Sequence, residues 1–221
     1  MDIQADGTAT QVFESAIRID TANGVRKLGE RRISYSGTHE TLDVLEAYTL
    51  QPDGTKVPLE SDQIRTQDDN NDGDSMYTDG KVKLLIYPKV QVGSVLYYKA
   101  RSHQHTADFP GQYAWSMHFS PFYVWSGVEI NVTQAPGIAL RYSTLGMTGG
   151  PVDLKAGDKP GTQRSRYQFK QDQFSLPESG VVDLRDFAPH LAVSSFGSYA
   201  DVGRAYQERA YPKAQVTPAI Q

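Results

Sequence analysis

Residues 82–100, VKLLIYPKVQVGSVLYYKA, hold two dense apolar runs with turn residues between them. The first run is Val82 to Tyr87 and the second is Val95 to Ala100, with Pro88 and Gly93 in the gap. Apolar runs of this length that are bounded by proline and glycine are typical of buried strands. We therefore predict that both runs form central strands of a sheet.

Outward from this stretch, apolar and polar residues alternate along several further segments. Side chains of a strand point to its two faces in turn, so residues two apart share a face. Leu42, Val44 and Tyr48 fit one such face before a Pro-Asp-Gly turn at 52–54. The same pattern recurs in the segments 13–19, 128–132, 138–142 and 164–169. We predict a mostly β, antiparallel chain, with a strand–turn–strand unit across residues 135–137.

The last part of the chain follows a different period. Ser198 with Asp201 resembles a capping box. Three residues recur at helical spacing after it: Tyr199, Val202 and Tyr206. These patterns predict one short C-terminal helix over residues 199–210.

The length of 221 residues bears on the number of domains. An all-β chain of this size forms either one large sandwich or two packed sandwiches. We assign residues 1–197 to the β-sandwich and 198–221 to the helix and a linker. Thr217-Pro218 repeats a helix-start signature, so we expect the parent protein to continue into another domain.

Composition excludes several classes of function. The 22 basic and 26 acidic side chains give a net charge of −4 without a concentrated basic run, which argues against a nucleic-acid partner. The chain has no cysteine, so it carries neither thiol catalysis nor cysteine-ligated zinc. It also holds no apolar run long enough to span a bilayer, and no signal-peptide core follows Met1.

Several short motifs, taken in order, give a family resemblance. They are Leu45-Glu46-Ala47, Ile64-Arg65-Thr66-Gln67, Asp79-Gly80-Lys81-Val82-Lys83, Phe109-Pro110-Gly111 and Leu191-Ala192-Val193-Ser194-Ser195-Phe196. In this order and spacing the chain resembles the domain of unknown function that stands N-terminal to bacterial transglutaminase-like domains. Two departures are Ser94, where the family often has aspartate, and Tyr199, where tryptophan is common.

The resemblance implies an immunoglobulin-like β-sandwich before a papain-like domain with a Cys-His-Asp triad, in a periplasmic or exported protein. No residue here matches that triad, so we expect that the chain is not itself an enzyme. The implied role is a non-catalytic accessory domain. It would pack against the C-terminal transglutaminase-like domain or present a polysaccharide or protein substrate to it. Leu191, Phe196 and Tyr199 are the expected docking residues; the alternative is that the apolar residues of this region pack on the chain's own sheet.

An acidic run resembles the calcium loop of an EF-hand. Its candidate ligands are Asp68, Asn70, Asp72, Asp74 and Asp79, with Gly73 at the sharp turn. Ser75 replaces the usual apolar anchor, and a strand follows where an EF-hand has a helix. The run is either a calcium site, which would make the chain a calcium-stabilised structural spacer, or a solvated acidic loop. Calcium is the one cofactor hypothesis; otherwise we expect none.

Aromatic residues concentrate between positions 109 and 125. Exposed Tyr113, Trp115 and Trp125 could stack on sugar rings, which gives an alternative function as a carbohydrate- or peptidoglycan-binding module. The competing interpretation is a packed core, because aromatic side chains bury large areas.

Histidines and serines suggest two weaker sites. His103 and His105 share a strand face and could reach one metal ion, with His118, Asp108 or a water as a third ligand. Ser194-Ser195 follows His190 closely, but closeness in sequence is not the geometry of a catalytic triad. We predict no hydrolase site.

Overall fold

The computed structural model describes residues 1–69, 79–174 and 183–214. Within these ranges the chain forms fourteen strands and two α-helices. The strands are β1 (Asp2–Ile3), β2 (Ala9–Arg18), β3 (Glu30–Ser36), β4 (Glu40–Leu50), β5 (Lys56–Pro58), β6 (Ile64–Asp68), β7 (Gly80–Ile86), β8 (Val95–Gln104), β9 (Ala114–His118), β10 (Trp125–Gln134), β11 (Arg141–Leu145), β12 (Thr148–Val152), β13 (Gln163–Gln171) and β14 (His190–Ser194). The helices are α1 (Ala22–Leu28) and α2 (Tyr199–Ala210), and 3-10 turns lie at Ser61–Gln63, Leu184–Asp186 and Tyr211–Ala214. The chain is mostly β, as predicted.

The chain divides into two compact units. The central unit is Thr10–Thr106, and the terminal unit joins Met1–Ala9 to Ala107–Gln221. Each unit has its own buried apolar cluster. Residues 1–197, which we assigned to one β domain, thus contain the central unit and most of the terminal unit. The boundary before residue 198 stays a prediction.

The central unit contains two layers of strands. One layer has the order β2-β8-β4-β5 and the other has the order β3-β7-β6. Leu96 of β8 and Leu85 of β7 lie in the same fully buried cluster, so the two layers share one core. The two apolar runs of residues 82–100 thus form interior strands of the two layers, as predicted.

Strand β4 differs from its prediction because it contains a β-bulge. The register with β8 shifts between Val44 and Glu46. An extra residue in one strand reverses the faces of the residues that follow it. Ala47 is therefore buried, whereas Tyr48 lies on the opposite face and stacks on Tyr97 with ring centroids 4.7 Å apart. Alternation alone did not reveal the bulge.

The terminal unit also contains two layers of strands. One sheet has the order β12-β13-β10-β1, and the other has the order β11-β14-β9. Val132 of β10 and Leu191 of β14 belong to one buried cluster, which joins the two sheets through a common core. The predicted strand–turn–strand unit across residues 135–137 leads from β10 in one sheet to β11 in the other. Strand β1 pairs with β10 in parallel, which the prediction of an antiparallel body did not include.

An ion pair fixes the turn before β13. The Arg164 guanidinium donates to both carboxylate oxygens of Asp158 at 2.6 Å, and both side chains are largely shielded from solvent. These hydrogen bonds, with one from the Lys155 backbone N–H, lower the pKa of Asp158 to about 2. The turn is part of the folded body of the terminal unit.

Helix α2 begins and ends as predicted. The Ser198 hydroxyl accepts a hydrogen bond from the Asp201 backbone N–H at 3.3 Å, which is the bond expected of an N-cap. Helix α1 was not predicted, although Thr21 caps it by accepting from the Gly24 N–H. Across the described ranges, neither helix has the length and apolar character needed to cross a bilayer.

Candidate functional site

Strand β14 lies at the centre of a sheet and supplies core residues to the terminal unit. It pairs with β11 on one side and β9 on the other. Leu191 is 0% exposed and Val193 is 1% exposed, whereas the residues between and beside them are half-buried. The inward face of β14 is therefore fully used inside the unit.

Phe196 follows β14 and also packs inward. It is 9% exposed, and its ring meets that of Phe109 edge to face with centroids 5.7 Å apart. The Arg209 guanidinium of α2 lies 6.0 Å from the centroid of the Phe109 ring. Two of the three predicted docking residues, Leu191 and Phe196, are thus occupied by contacts within the terminal unit.

The third predicted docking residue, Tyr199, lies on the outside of α2. Tyr199 is 96% exposed, Tyr206 is 67% exposed and Val202 is 36% exposed. They share one side of the helix because residues three and four apart are neighbours on its surface. We call these three residues the Tyr199 stripe. No residue of α2 is fully buried.

A cavity of about 320 Å³ lies beside α2. It is lined by Gln112, Ser195, Phe196, Gly197, Asp201, Arg204, Ala205 and Glu208. The Ser195 hydroxyl donates to the Gln112 amide oxygen at 2.6 Å and accepts from the Tyr113 backbone N–H. Ligand pockets are mostly apolar with a few placed polar groups, whereas this lining is largely polar and already hydrogen-bonded. The cavity does not resemble a pocket for an apolar ligand.

The aromatic residues proposed for sugar stacking have structural contacts. Tyr113 is 3% exposed and belongs to the core of the terminal unit, so its ring has no free face. Trp115 packs against the same core. The Trp125 indole N–H donates to the Ser120 carbonyl at 2.9 Å, and its ring lies edge-on to Phe119. For Tyr113, the structure supports the interpretation that this stretch is packed core. A surface that stacks on sugar rings would have to use the two half-buried tryptophans.

The predicted calcium ligands are only partly within the described residues. Asn70, Asp72 and Asp74 lie outside them. The Asp68 carboxylate accepts from the Lys81 ammonium at 2.5 Å. Within 1–69, 79–174 and 183–214, no three acidic or histidine side chains are grouped to hold a metal. The calcium site remains a prediction.

Asp79, the twelfth residue of that run, holds a turn of the central unit. Its carboxylate accepts from the Ser36 hydroxyl at 2.5 Å and from the hydroxyl and backbone N–H of Thr38. These hydrogen bonds to the charged form lower the pKa of Asp79 well below its usual range. A bound cation would have to compete with these donors for the same oxygen.

Neither serine near His190 is placed as a nucleophile. Ser195 is bonded to Gln112, and the Ser194 hydroxyl accepts from the Phe196 backbone N–H at 3.1 Å. His190 stands at the other end of β14 from Ser194, and a strand rises about 3.3 Å per residue. A nucleophile and its base must be within hydrogen-bonding distance. The His190 ring and these hydroxyls therefore do not form a serine–histidine pair.

The histidines predicted to share a metal ion use their ring nitrogens locally. His103 Nδ1 is 3.0 Å from the Thr10 hydroxyl, and His105 Nδ1 is 3.0 Å from the Thr106 hydroxyl. The structure does bring together another pair, His118 and His190, which sequence analysis did not combine. Their juxtaposition depends on the register of β9 against β14, and no spacing in the sequence indicates it.

Comparison with known proteins gives a family and a fold. A family model described as a domain of unknown function with solved structure, DUF3857, matches residues 5–173. No curated protein matches the chain. A crystal structure from Parabacteroides distasonis, described as a "putative protease", superposes with a TM-score of 0.81 over 95% of this chain at 17% identity.

At that identity the likeness shows the fold alone. The chain spans 41% of the Parabacteroides chain, so more than half of that protein lies outside the matched region. The family match establishes membership of the family, because the matched residues 5–173 make up most of the 221 residues. The chain therefore belongs to the DUF3857 family of domains of unknown function.

Proposed function

We propose that this chain is a non-catalytic accessory module that docks, through the Tyr199 stripe, onto a transglutaminase-like domain of the same exported bacterial protein. The observation that carries the proposal is the exposure of Tyr199 and Tyr206 on a helix that buries no residue fully. Its role would be to orient the catalytic domain or restrict access to it.

The physics of short helices supports a partner for α2. A helix of 12 residues is marginal in water on its own, and most helices in proteins are stabilised by packing an apolar face. The side of α2 beside the cavity offers the polar residues Asp201, Arg204 and Glu208, together with the small side chain of Ala205. The apolar side is the Tyr199 stripe, and it contacts solvent. A surface that covers this stripe would supply the packing that the helix lacks.

Two observations support a partner within the same protein. The sequence motifs resemble those of domains that precede a transglutaminase-like domain. The Parabacteroides protein of the same fold has more than half of its chain outside the matched region, and a protease needs a catalytic region. A covalently linked domain also meets the helix at high effective concentration, so a modest apolar stripe is sufficient for docking.

The proposal is tested on the protein encoded by the whole gene. A site-specific protease site is introduced between this chain and the segment that follows it, and the protein is cleaved after folding. We expect the two pieces to co-elute in size-exclusion chromatography. The double variant Tyr199→Gln with Tyr206→Gln should separate them, because glutamine maintains helix propensity but removes the aromatic surface.

The matched control is Tyr123→Gln, which changes another exposed tyrosine of the terminal unit. It should leave co-elution intact. Separation of the unmodified pieces, or equal co-elution of the double variant, would contradict the docking role. A gene product without a transglutaminase-like domain would contradict the proposed parent protein.

A further inference from the structure

His118 and His190 face each other across two strands of the terminal unit. They are direct partners in the antiparallel register of β9 and β14. The Phe119 N–H donates to the Pro189 carbonyl, and the Ser195 N–H donates to the Tyr113 carbonyl, so the hydrogen-bonded pairs of this ladder are the odd-numbered residues of β9. His118 and His190 are therefore a non-hydrogen-bonded pair, in which side chains approach most closely.

The distance between the two rings suits a shared metal ion. With Zn–N bonds of about 2.0–2.1 Å and a tetrahedral angle of about 109°, the centroids of two ligating imidazoles stand about 5.2 Å apart. The centroids of His118 and His190 are 5.1 Å apart, with 40° between the ring planes. The strand pairing thus sets the two ring centroids at the separation expected of a tetrahedral site.

The hydrogen bond of His190 prepares one nitrogen as a ligand. Its Nδ1 lies 3.1 Å from the Ala188 carbonyl oxygen, and a carbonyl only accepts, so Nδ1 carries the proton. In the neutral form of this ring, Nε2 carries the lone pair that a metal ion needs. Histidines that bind metals commonly donate their other ring N–H to a carbonyl in this way. His118 is exposed, so its ring is accessible to an ion from solvent.

An ion pair lies beside His118. The Asp183 carboxylate lies near enough to His118 for their charges to interact. Arg185 donates hydrogen bonds to both oxygens of that carboxylate. These bonds are the main cause of the lowered pKa of Asp183, which is about 2. Asp183 is therefore ionised across the pH range in which imidazole can ligate. Because Arg185 pairs with this carboxylate, Asp183 adds little net negative charge beside His118, and it is not counted as a ligand.

We propose that His118 and His190 form a two-histidine site for a divalent transition metal of the zinc, nickel and copper class, with water in the remaining positions. Imidazole suits these ions, whereas calcium and magnesium prefer oxygen. The ion would join the edge strand β9 to the central strand β14. The site is independent of the docking role proposed for α2.

The chain contains its own control pair. The ring centroids of His103 and His105 are 6.3 Å apart, which would require a nearly linear angle of about 160° at a shared zinc ion. This pair is therefore expected to bind zinc much more weakly than His118 and His190.

The test is calorimetric titration of Zn²⁺ into the untagged full chain, in buffer with excess calcium to occupy hard-cation sites. We expect one ion per chain and, by mass action, a higher melting temperature with zinc. His118→Gln and His190→Gln should each weaken zinc binding at least about tenfold, whereas His103→Gln with His105→Gln should leave it unchanged.

If the His190→Gln variant does not fold, the His118→Gln variant decides the test. His118 is exposed, so its replacement is not expected to affect folding. Circular dichroism at 25 °C checks this for each variant. No zinc binding by the unmodified chain, undiminished binding by His118→Gln, or loss of binding only in the His103 and His105 variant would each overturn the proposal.

Discussion

Strand β14 and helix α2 are close in the sequence and both carry apolar residues, yet they use them in opposite ways. Leu191 of β14 is 0% exposed, whereas Tyr199 of α2 is 96% exposed. The strand has neighbours on both sides, so its inward face must lie in the core. The side of the helix that borders the cavity is mostly polar and contributes no large apolar side chain. The apolar residues of this region therefore belong to two different environments. Those of β14 form part of a buried core, and those of α2 form a solvent-exposed surface.

The largest effect that separates the two regions is expected from Phe196→Asp. It places a charge in a site that is 9% exposed and removes the apolar contact with the Phe109 ring. We expect the free energy of unfolding to fall by at least about 3 kcal/mol. Urea unfolding followed by tryptophan fluorescence measures it.

The matched variant is Tyr199→Asp, which introduces the same charge on the exposed side of α2. It should change the free energy of unfolding by no more than about 0.5 kcal/mol. Similar losses in the two variants would mean that the stripe packs inside the unit and would remove the contrast between β14 and α2.

A pH-dependent effect is expected in the body of the terminal unit from Asp158→Asn. The folded pKa of Asp158 is about 2, below its ordinary value of 3.8, so its charge stabilises the fold at and above about pH 4. This contribution is lost as pH falls from about 4 to about 2. The variant should melt at a lower temperature than the unmodified chain at pH 7, and the difference should close near pH 2.

Asp172→Asn is the control for that experiment. Asp172 pairs with Lys170 on the surface, where both side chains are mostly exposed. Exposed ion pairs contribute little to stability. A melting-temperature difference for Asp158→Asn that persists unchanged at pH 2 would contradict the assigned role of the Arg164 pair.

A smaller effect confined to the helix is expected from Ser198→Ala. The Ser198 hydroxyl caps the first turn of α2, and loss of such a cap costs about 1 kcal/mol of helix stability. Because α2 buries no residue fully, this cost should appear as faster hydrogen exchange in residues 199–210 with little change in β14. Ser198→Thr, which retains a capping hydroxyl that can also donate to the Asp201 carboxylate, should restore slow exchange. Global destabilisation by Ser198→Ala would show that α2 is part of the cooperative core.

The smallest effect on the isolated chain is expected from Tyr199→Gln with Tyr206→Gln. Both side chains contact mainly solvent, so the free energy of unfolding should change by no more than about 0.5 kcal/mol. Thermal melting of residues 1–221 measures it. A loss above 2 kcal/mol would mean that the stripe is already covered within this chain.

Local sequence patterns predicted the individual strands and the C-terminal helix better than they predicted which strands pair with each other. The helix over residues 199–210 was predicted correctly because its cap and its period are both local. The runs at Val82 and Val95 were predicted as interior strands because their apolar density is also local. The bulge after Val44 and the parallel pairing of β1 depend on distant strands, so alternation alone could not reveal them.

The candidate site shows the same limit. Tyr199 and Phe196 were predicted as one docking group because both are apolar and close in sequence. Only the placement of Phe109 against Phe196 distinguishes the buried residue from the exposed one. The pairing of His118 with His190 likewise depends on strand register. The calcium hypothesis is not decided by Asp68 and Asp79, since its other predicted ligands lie outside the described residues.

The most direct test of the docking role is hydrogen exchange of α2 amides, compared between residues 1–221 and the protein encoded by the whole gene. If a following domain covers the Tyr199 stripe, amides of residues 199–210 should exchange at least about tenfold more slowly in the whole protein. Those of β14 should be slow in both, since its core is complete within this chain. Equal exchange rates of α2 in the two proteins would contradict the account.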